Sequence, residues 1–275
     1  MLRDQRIAVV LPAYNAGLTL RRTVSELDRT LVDFVVLVDD ASTDDTIRVA
    51  NELDLIVHQH PTNRGYGGNQ KSCYRVALEL GADIVVMVHP DYQYSPLLVP
   101  AMAAMIAYGQ YDLVLGSRIL AQNAVEEGMP RYKYVGNRVL TLIENWGLGQ
   151  KLSEYHTGLR AYRGELLKAL PIEQNSDDFV FDNQVIVQAV VAGARIGEIS
   201  CPTRYNADAS SINLRDSVRY GLAVLRTTAE YRLHRHLART VPFLDEVVPM
   251  PRRASGCSAA ESPPEDQVAP ARPRR

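Results

Sequence analysis

The segment Val88-His89-Pro90-Asp91-Tyr92-Gln93 carries an imidazole, a carboxylate and an amide at alternate positions. Asp91 can ligate a divalent cation strongly, Gln93 can add a neutral oxygen and His89 can supply nitrogen. A set so poor in carboxylates holds Mg2+ only with help from substrate phosphates and water, whereas Mn2+ tolerates the nitrogen more readily. Without an ion, the same residues make a hydrogen-bonded turn.

A second acidic pair, Asp39-Asp40, follows the β-branched run Phe34 to Val38. Two carboxylates at a strand end are costly to desolvate without donors or a cation. Asp40 can accept hydrogen bonds from a base edge or a ribose, with Asp39 organising the loop or sharing that role. Ser42 and Asp45 have capping-box spacing and are expected to serve the next helix. Upstream, Pro12-Ala13-Tyr14-Asn15 ends another strand: Pro12 restricts the backbone, and Tyr14 and Asn15 either orient a base or form an ordinary strand-to-helix turn. The stretch Asn63 to Lys71 holds Gly65, Gly67 and Gly68 ahead of a helical pattern, so backbone N–H groups can approach a polar ligand, and Arg64 or Lys71 can meet a phosphate. It lacks the Gly-Lys-Ser/Thr ending of a Walker motif.

These segments sit where strands should end. Short apolar runs at Ile7 to Leu11, Phe34 to Val38, Leu55 to Val57, Ile84 to Val88 and Leu113 to Leu115 alternate with helical patterns. The alternation predicts an α/β fold with a mostly parallel central sheet flanked by helices. Cys73, Val76, Ala77 and Leu80 share a helix face that Gly81 stops, and Ser95-Pro96 opens another helix. Val139, Leu140, Ile143 and Trp146 share a face that either lies beside a ligand or fills core. Phe181 to Ala192 predicts a further helix before a strand at Ile196 to Ile199. The longest helix is predicted from Leu214 to Leu237, with Val218, Leu222, Leu225 and Ala229 at helical spacing. Between Ser211 and Thr240 six arginines face only Asp216 and Glu230, which suits either an anionic lipid surface or a solvated face. From Pro249 the chain is proline-rich with little apolar anchoring, the pattern of a disordered tail.

The composition bounds these readings. With 275 residues, 46% of them apolar, the chain suits one well-packed domain. A formal net charge of −2 argues against a nucleic-acid partner. Cys73, Cys201 and Cys257 lack zinc or redox spacing and suit a reducing compartment. With no secretory pattern and no apolar run of about 18 residues, the expected location is cytoplasmic, with peripheral contact at the inner face of the membrane. Oligomeric state has no signal in the sequence.

In order and conjunction, these segments resemble the GT-A-fold glycosyltransferases of family 2, especially the dolichyl- and polyprenyl-phosphate mannosyltransferase-like branch. The resemblance runs through Pro12 to Asn15, Val38 to Asp44, Asn63 to Gly68, His89 to Pro96, Gly116-Ser117-Arg118, His156 to Arg160 and Pro202 to Ser211. It implies a GT-A-like catalytic domain over residues 1–212, which leaves the basic amphipathic helix, read from its periodicity, to 213–240 and the proline-rich disordered tail to 241–275. It also implies that Asp40 recognises the base in a pocket shared with Tyr14 and Asp39. The family's Asp-x-Asp becomes His89-Pro90-Asp91, leaving Asp91 and Gln93, with His89, as the set for Mg2+ or Mn2+. Arg118, Arg131 and Arg160 resemble basic positions around the acceptor or phosphates, and Ser210 and Ser211 a diphosphate-side loop. Ala16 stands where the branch has Glu, and Glu154 where it has Asp.

The reaction so implied is inverting transfer of a hexose from a nucleotide diphosphate sugar to a polyprenyl phosphate or another acceptor. A phosphate oxygen attacks without a strong base, whereas a hydroxyl needs one, with His156, Glu154 and Asp182 as candidates. Nucleotidyl transfer, or nucleotide-sugar binding without catalysis, are the alternatives.

Overall fold

The computed structural model describes residues 2–120, 124–126, 128–203 and 214–251. In chain order the elements are β1 (Ile7–Ala13), α1 (Gly17–Ser25), β2 (Phe34–Asp39), α2 (Thr46–Glu52), β3 (Ile56–Gln59), α3 (Gly65–Glu79), β4 (Ile84–Met87), α4 (Val99–Ala107), β5 (Leu113–Ser117), α5 (Arg131–Leu148), β6 (Arg160–Arg163), α6 (Gly164–Ala169), α7 (Phe181–Val191), β7 (Ile196–Ser200), α8 (Leu214–Leu237) and α9 (Pro242–Asp245). The strands form one sheet of order β3-β2-β1-β4-β6-β5-β7.

β1 pairs in parallel with β2 and β4, and β2 with β3, so their carboxyl ends share one edge. β6 runs antiparallel to both β4 and β5, with Arg160 opposite Met87 and Leu115. Its amino end therefore lies at the carboxyl ends of its neighbours. This reversal brings the segment before Arg160 to the edge where β4 delivers His89 and β5 delivers Arg118. The chain order on either side of β1 makes that edge the place where open α/β sheets bind ligands.

Alternation along the strands fills two cores, as a period of two requires. Ala8 and Val10 of β1 pack with Cys73 and Tyr74 of α3 and Phe181 of α7. Ile7, Val9 and Leu11 pack on the other face with Leu20 of α1, Val49 of α2 and Met102 of α4. Each such buried aliphatic contributes about 1.5–3 kcal/mol.

Several local expectations differ. The glycine-rich stretch is no turn before α3 but its first turns, beginning at Gly65. Ser42 and Asp45 make no capping box: Ser42 Oγ accepts from Asn15 N, Asp45 pairs with Arg48, and it is Asp44 that accepts from Thr46 N at the start of α2. β6 carries no apolar run because Arg160 and Arg163 are buried within it on polar partners. α5 and α8 bury polar faces, Asn137, Thr141 and Glu144 on one and Thr227 and Thr228 on the other. Val139 and Trp146 of α5 and Val218, Leu222 and Ala229 of α8 face outward instead. α8 packs on α5 and α7. Among the described residues no helix is long and apolar enough to cross a membrane. Residues 252–275, most of the proline-rich tail, lie outside the described residues, as do Ser210 and Ser211.

Candidate active site

A cavity of about 290 Å³ opens at the shared strand edge, lined by residues following β4 and β5, by the segment before β6, and by α5 and α8. His89, Asp91 and Gln93 all line it. Their turn is braced from behind: Thr23 Oγ1 donates to Pro90 O at 3.2 Å, and Tyr92, held at φ +58° with its ring beneath the Arg22 guanidinium, donates its hydroxyl proton to the Glu26 carboxylate. Asp91 Oδ1 accepts from Gln93 N at 3.0 Å, which orients the carboxylate. Tyr66 stacks on His89, and its hydroxyl donates to Asp182 Oδ2 at 2.7 Å. Because that proton is committed, His89 Nε2, 3.1 Å from the same hydroxyl, is placed to donate to it, and Nδ1 is the ring nitrogen left for a ligand. Burial first, then the charge of Asp182, holds the Tyr66 phenol well above its usual range, so it stays protonated.

The opposite wall is cationic. Arg118 lines the cavity and is held by Glu154, through its backbone N to Oε2 at 2.7 Å and Nε to Oε1 at 2.8 Å, and by His156 O at 2.6 Å. Burial pushes the Glu154 carboxyl up, but the charge and hydrogen bonds of Arg118 together outweigh it and leave the group below its ordinary value. Lys133 lines the cavity from α5. Burial, then the neighbouring Arg118 charge, lowers its pKa.

Arg131 and Arg160 do not line this cavity. Arg131 begins α5 exposed, about 200° around the helix from Lys133, so the helical period turns Lys133 inward instead. Arg160 is fully buried beneath the site, donating to the carbonyls of Thr157, Asp182 and Tyr155, and so fixes the segment before β6.

At the ends of β1 and β2 the predicted polar residues bind mainly one another. Pro12 is buried within β1 opposite Val38. Asn15, at φ +52°, accepts from Thr43 N at 2.9 Å, joining the two loops, while Tyr14 is exposed. Asp40 accepts from His60 Nδ1 at 2.8 Å, Arg64 N at 2.8 Å and Gly65 N at 3.0 Å, so a carboxylate of the chain occupies the N-terminus of α3. Asp39 is fully buried; Oδ2 accepts from Ser42 N at 3.0 Å, and Oδ1 has no hydrogen-bond partner among the described residues. Gly65, at φ +85°, and Gly67 meet the segment around Asp177, and a Cβ on Gly67 would come 2.4 Å from Ser176 O. Lys71 was expected near phosphate; its ammonium is buried and donates to Glu173 O, Asn175 O and Asp177 Oδ1. A shallow concavity beside Asp40 is lined by Ala41, Ser42, Gln59, His60 and Pro61.

Residues 8–170, more than half the chain, match the family model described as Glycosyl transferase family 2. The chain belongs to that family. It is 29% identical over 222 residues to the UDP-N-acetylglucosamine--dolichyl-phosphate N-acetylglucosaminyltransferase of Methanococcus voltae, covering 74% of this chain and 88% of that one. It is 28% identical over 201 residues to the undecaprenyl-phosphate mannosyltransferase of Micrococcus luteus, covering 70% and 82%. Among solved structures it resembles glucosyl-3-phosphoglycerate synthase of Mycobacterium tuberculosis crystallised with Mn2+, UDP and phosphoglyceric acid, with a TM-score of 0.65 at 20% identity over 83% of this chain and 79% of that one. That likeness is one of fold.

The transferase carries further site residues that the sequence reading passed over. Glu144 of α5 is fully buried, accepts from Asn183 Nδ2 and lies 3.1 Å from His156 Nε2. His156 Nδ1 is 2.9 Å from the hydroxyl of Tyr220 on α8, and both rings line the cavity. Phe179, Tyr94, Leu140 and Tyr132 complete an aromatic and apolar wall. Lys133 was findable, since 133, 136, 137 and 140 share one helix face; Glu144 was not, because a glutamate in an amphipathic helix reads as solvated. Among the described residues no group of three or more His, Cys, Asp or Glu is placed to hold a metal. The donors at hand are the Asp91 carboxylate, the Gln93 amide and His89 Nδ1, a set that fits an ion taking its remaining ligands from a diphosphate and water.

Proposed function

We propose that the transferase moves a hexose from a nucleotide diphosphate sugar to the phosphate of a polyprenyl phosphate, with inversion. The observation that carries this reading is the pairing of Lys133 and Arg118 in a cavity that also presents the aromatic and apolar side chains of Tyr94, Met129, Tyr132, Leu140 and Phe179, beside the polar groups of His89, Asp91, Gln93, His156 and Asp182. Glu154 balances Arg118, and Lys133 has no acidic partner among the described residues. A lipid phosphate is an anion attached to an apolar chain and satisfies both walls. The relatives named for dolichyl- and undecaprenyl-phosphate substrates support the same class.

In this reading Lys133 and Arg118 hold the acceptor phosphate so that its anionic oxygen reaches the anomeric carbon without a general base, and the nucleotide diphosphate departs. Asp91, Gln93 and His89 Nδ1 would hold Mg2+ or Mn2+, which when bound offsets the charge of the leaving diphosphate. Asp39, Asp40 and Tyr14 form the donor side, with Asp40 shaping the base pocket through the N-terminus of α3. The enzyme then works at the inner face of the membrane by peripheral contact. The test compares a short-chain prenyl phosphate with the corresponding prenol. Sugar transfer to the phosphate alone, requiring divalent cation, supports the assignment, and transfer to the prenol alone rejects it.

A second reading has its own observation. Glu144 Oε2 lies 3.1 Å from His156 Nε2 without hydrogen-bond geometry, and His156 Nδ1 lies 2.9 Å from the Tyr220 hydroxyl, so a buried carboxylate stands behind an imidazole and a phenol of the cavity wall, groups that proton removal from a hydroxyl acceptor would use. Under this reading Glu144→Gln and His156→Asn lower kcat steeply at neutral pH and less at alkaline pH; under the phosphate reading the pH profile keeps its shape.

A further inference from the structure

We propose that the joint outer face of α5 and α8 is a docking surface for an anionic lipid bilayer, with Leu142 and Trp146 entering the apolar boundary. This rests on the lipid-phosphate reading, and it assigns a place to the part of α5 turned away from the cavity.

On α5, Tyr132, Val135, Val139, Leu142 and Trp146 recur at helical spacing and are all exposed, Leu142 to 70% and Trp146 to 72%. An exposed apolar stripe over a buried polar one inverts the usual pattern of a surface helix, and it needs an apolar environment on the outside. Steps from Tyr132 to Trp146 span about 21 Å along the helix axis.

α8 extends the same face. Leu140 lies against Gly221 and Gly147 against Thr228, an equal advance along both helices, so α5 and α8 run side by side in one direction. With that alignment, helix geometry turns the exposed positions 215, 218, 219, 222, 226 and 229 of α8 to the same side as the α5 stripe. They read Arg-Val-Arg-Leu-Arg-Ala, apolar groups interleaved with cations, of which Arg219 lies 3.3 Å from Asp178 Oδ2 and Arg226 2.9 Å from Glu230 Oε1, exposed pairs that a lipid phosphate can exchange for. The Arg232 guanidinium lies 4.4 Å from the Trp146 ring centre, covering the indole at the junction of the helices.

The charge pattern selects the occupant. Lipid phosphates meet arginines while Val218, Leu222 and the α5 stripe meet acyl chains, the arrangement of an interfacial amphipathic helix. A second copy of this chain packed about a twofold axis would set the arginine row against itself. The surface also adjoins the cavity, because Tyr132 belongs to both and Ser217 and Tyr220 of α8 line the inner side. A prenyl chain whose phosphate sits at Lys133 thus emerges beside the bilayer.

Trp146 is the single tryptophan of the chain, so its emission reports directly on this face. The full-length transferase is titrated with phosphatidylglycerol–phosphatidylcholine vesicles at low and high salt. A blue shift, with quenching by brominated acyl chains and weakening by salt, is the expected result. The double variant Val139→Glu, Leu142→Glu is expected to lower partitioning at least tenfold while transfer to a water-soluble short-chain prenyl phosphate stays within twofold. Unchanged emission in the presence of vesicles overturns the surface, as does a blue shift that follows protein concentration without lipid, which marks a contact between copies. Transfer to the short-chain acceptor without docking rejects the surface and leaves the acceptor assignment standing. Docking without transfer to any lipid phosphate does the reverse.

Discussion

The two halves of the strand edge solve opposite electrostatic problems. At the ends of β1 and β2, carboxylates are met by donors of the same chain: Asp40 takes three, and Asn15 ties its loop to the next. Around α5 and α8, Lys133 faces the cavity without an acidic partner among the described residues, and apolar groups lie exposed on the outer surface. The first half is shaped by its own polar contacts before any ligand arrives, whereas the second is completed by what binds there. Under the proposed function, donor recognition then depends on backbone held in place, and acceptor recognition on charge.

The sharpest break of this contrast is at the turn between the halves. Asp91→Ala removes the only carboxylate of the proposed ion set and is expected to lower kcat by about 10³-fold while the fold persists, checked by turnover and thermal melting on the same sample. A loss of less than tenfold would show that the diphosphate is stabilised elsewhere.

Asp40→Asn probes the self-satisfied half. An amide in place of the carboxylate turns N–H toward N–H at the start of α3, with an expected loss of about 2–4 kcal/mol in denaturant unfolding and a raised donor KM. Unchanged stability would mean that α3 does not need this contact.

Lys133→Ala probes the half around α5 and α8 and should do the opposite: acceptor KM up about tenfold or more, donor KM and stability nearly unchanged, with Lys133→Arg restoring affinity. Equal effects on both substrates would erase the division.

The smallest effect is in pH. The Lys133 pKa in the fold lies below the ordinary 10.5, so between the two values the unfolded chain binds the additional proton. Stability from this group rises with pH across that window while the cation is lost, so acceptor KM should climb on an alkaline limb that begins below pH 10.5. Lys133→Arg should abolish the limb in steady-state profiles.

The same contrast governs what the sequence disclosed. β1, β2, β4 and β5 fall on the apolar runs, because strands buried on both faces are written as such. The Asp39-Asp40 and His89 to Gln93 segments are short and local, and all of these residues lie at strand ends. β6 was read only as a motif, since its buried arginines depend on partners such as Asp112 and Asp182, distant in sequence. For α5 and α8 the helices were legible and their orientation was not: the α5 stripe was left open between a ligand and the core, and the α8 pattern between a lipid surface and a solvated face, whereas the core at α5 is closed by Asn137, Thr141 and Glu144 against Asn183 and Glu154. Hydrophobic periodicity finds a helix but names its buried face only when the core is apolar. Lys71 misled for the same reason, its partners lying on the segment around Asp177.

The reversal at β6 also sets how freely this architecture can be altered. Leu115 of β5 pairs directly with Arg160 of β6, so the chain leaves the sheet after Ser117 and returns to the adjacent strand. Loops within such an excursion can change length at an entropic cost that grows only with the logarithm of their length, and no strand has to shift register, so long as α5 keeps its packing on α8 and the buried Glu144 and Glu154 keep their partners. The crossovers through α1, α2 and α3 have no such freedom, since each must cover the sheet and re-enter it in parallel. Under the proposed function, new acceptor chemistries are therefore most accessible by varying the loops between Ser117 and Arg160, a segment that carries Arg118, Lys133 and His156 together, while the ends of β1 and β2 stay as they are.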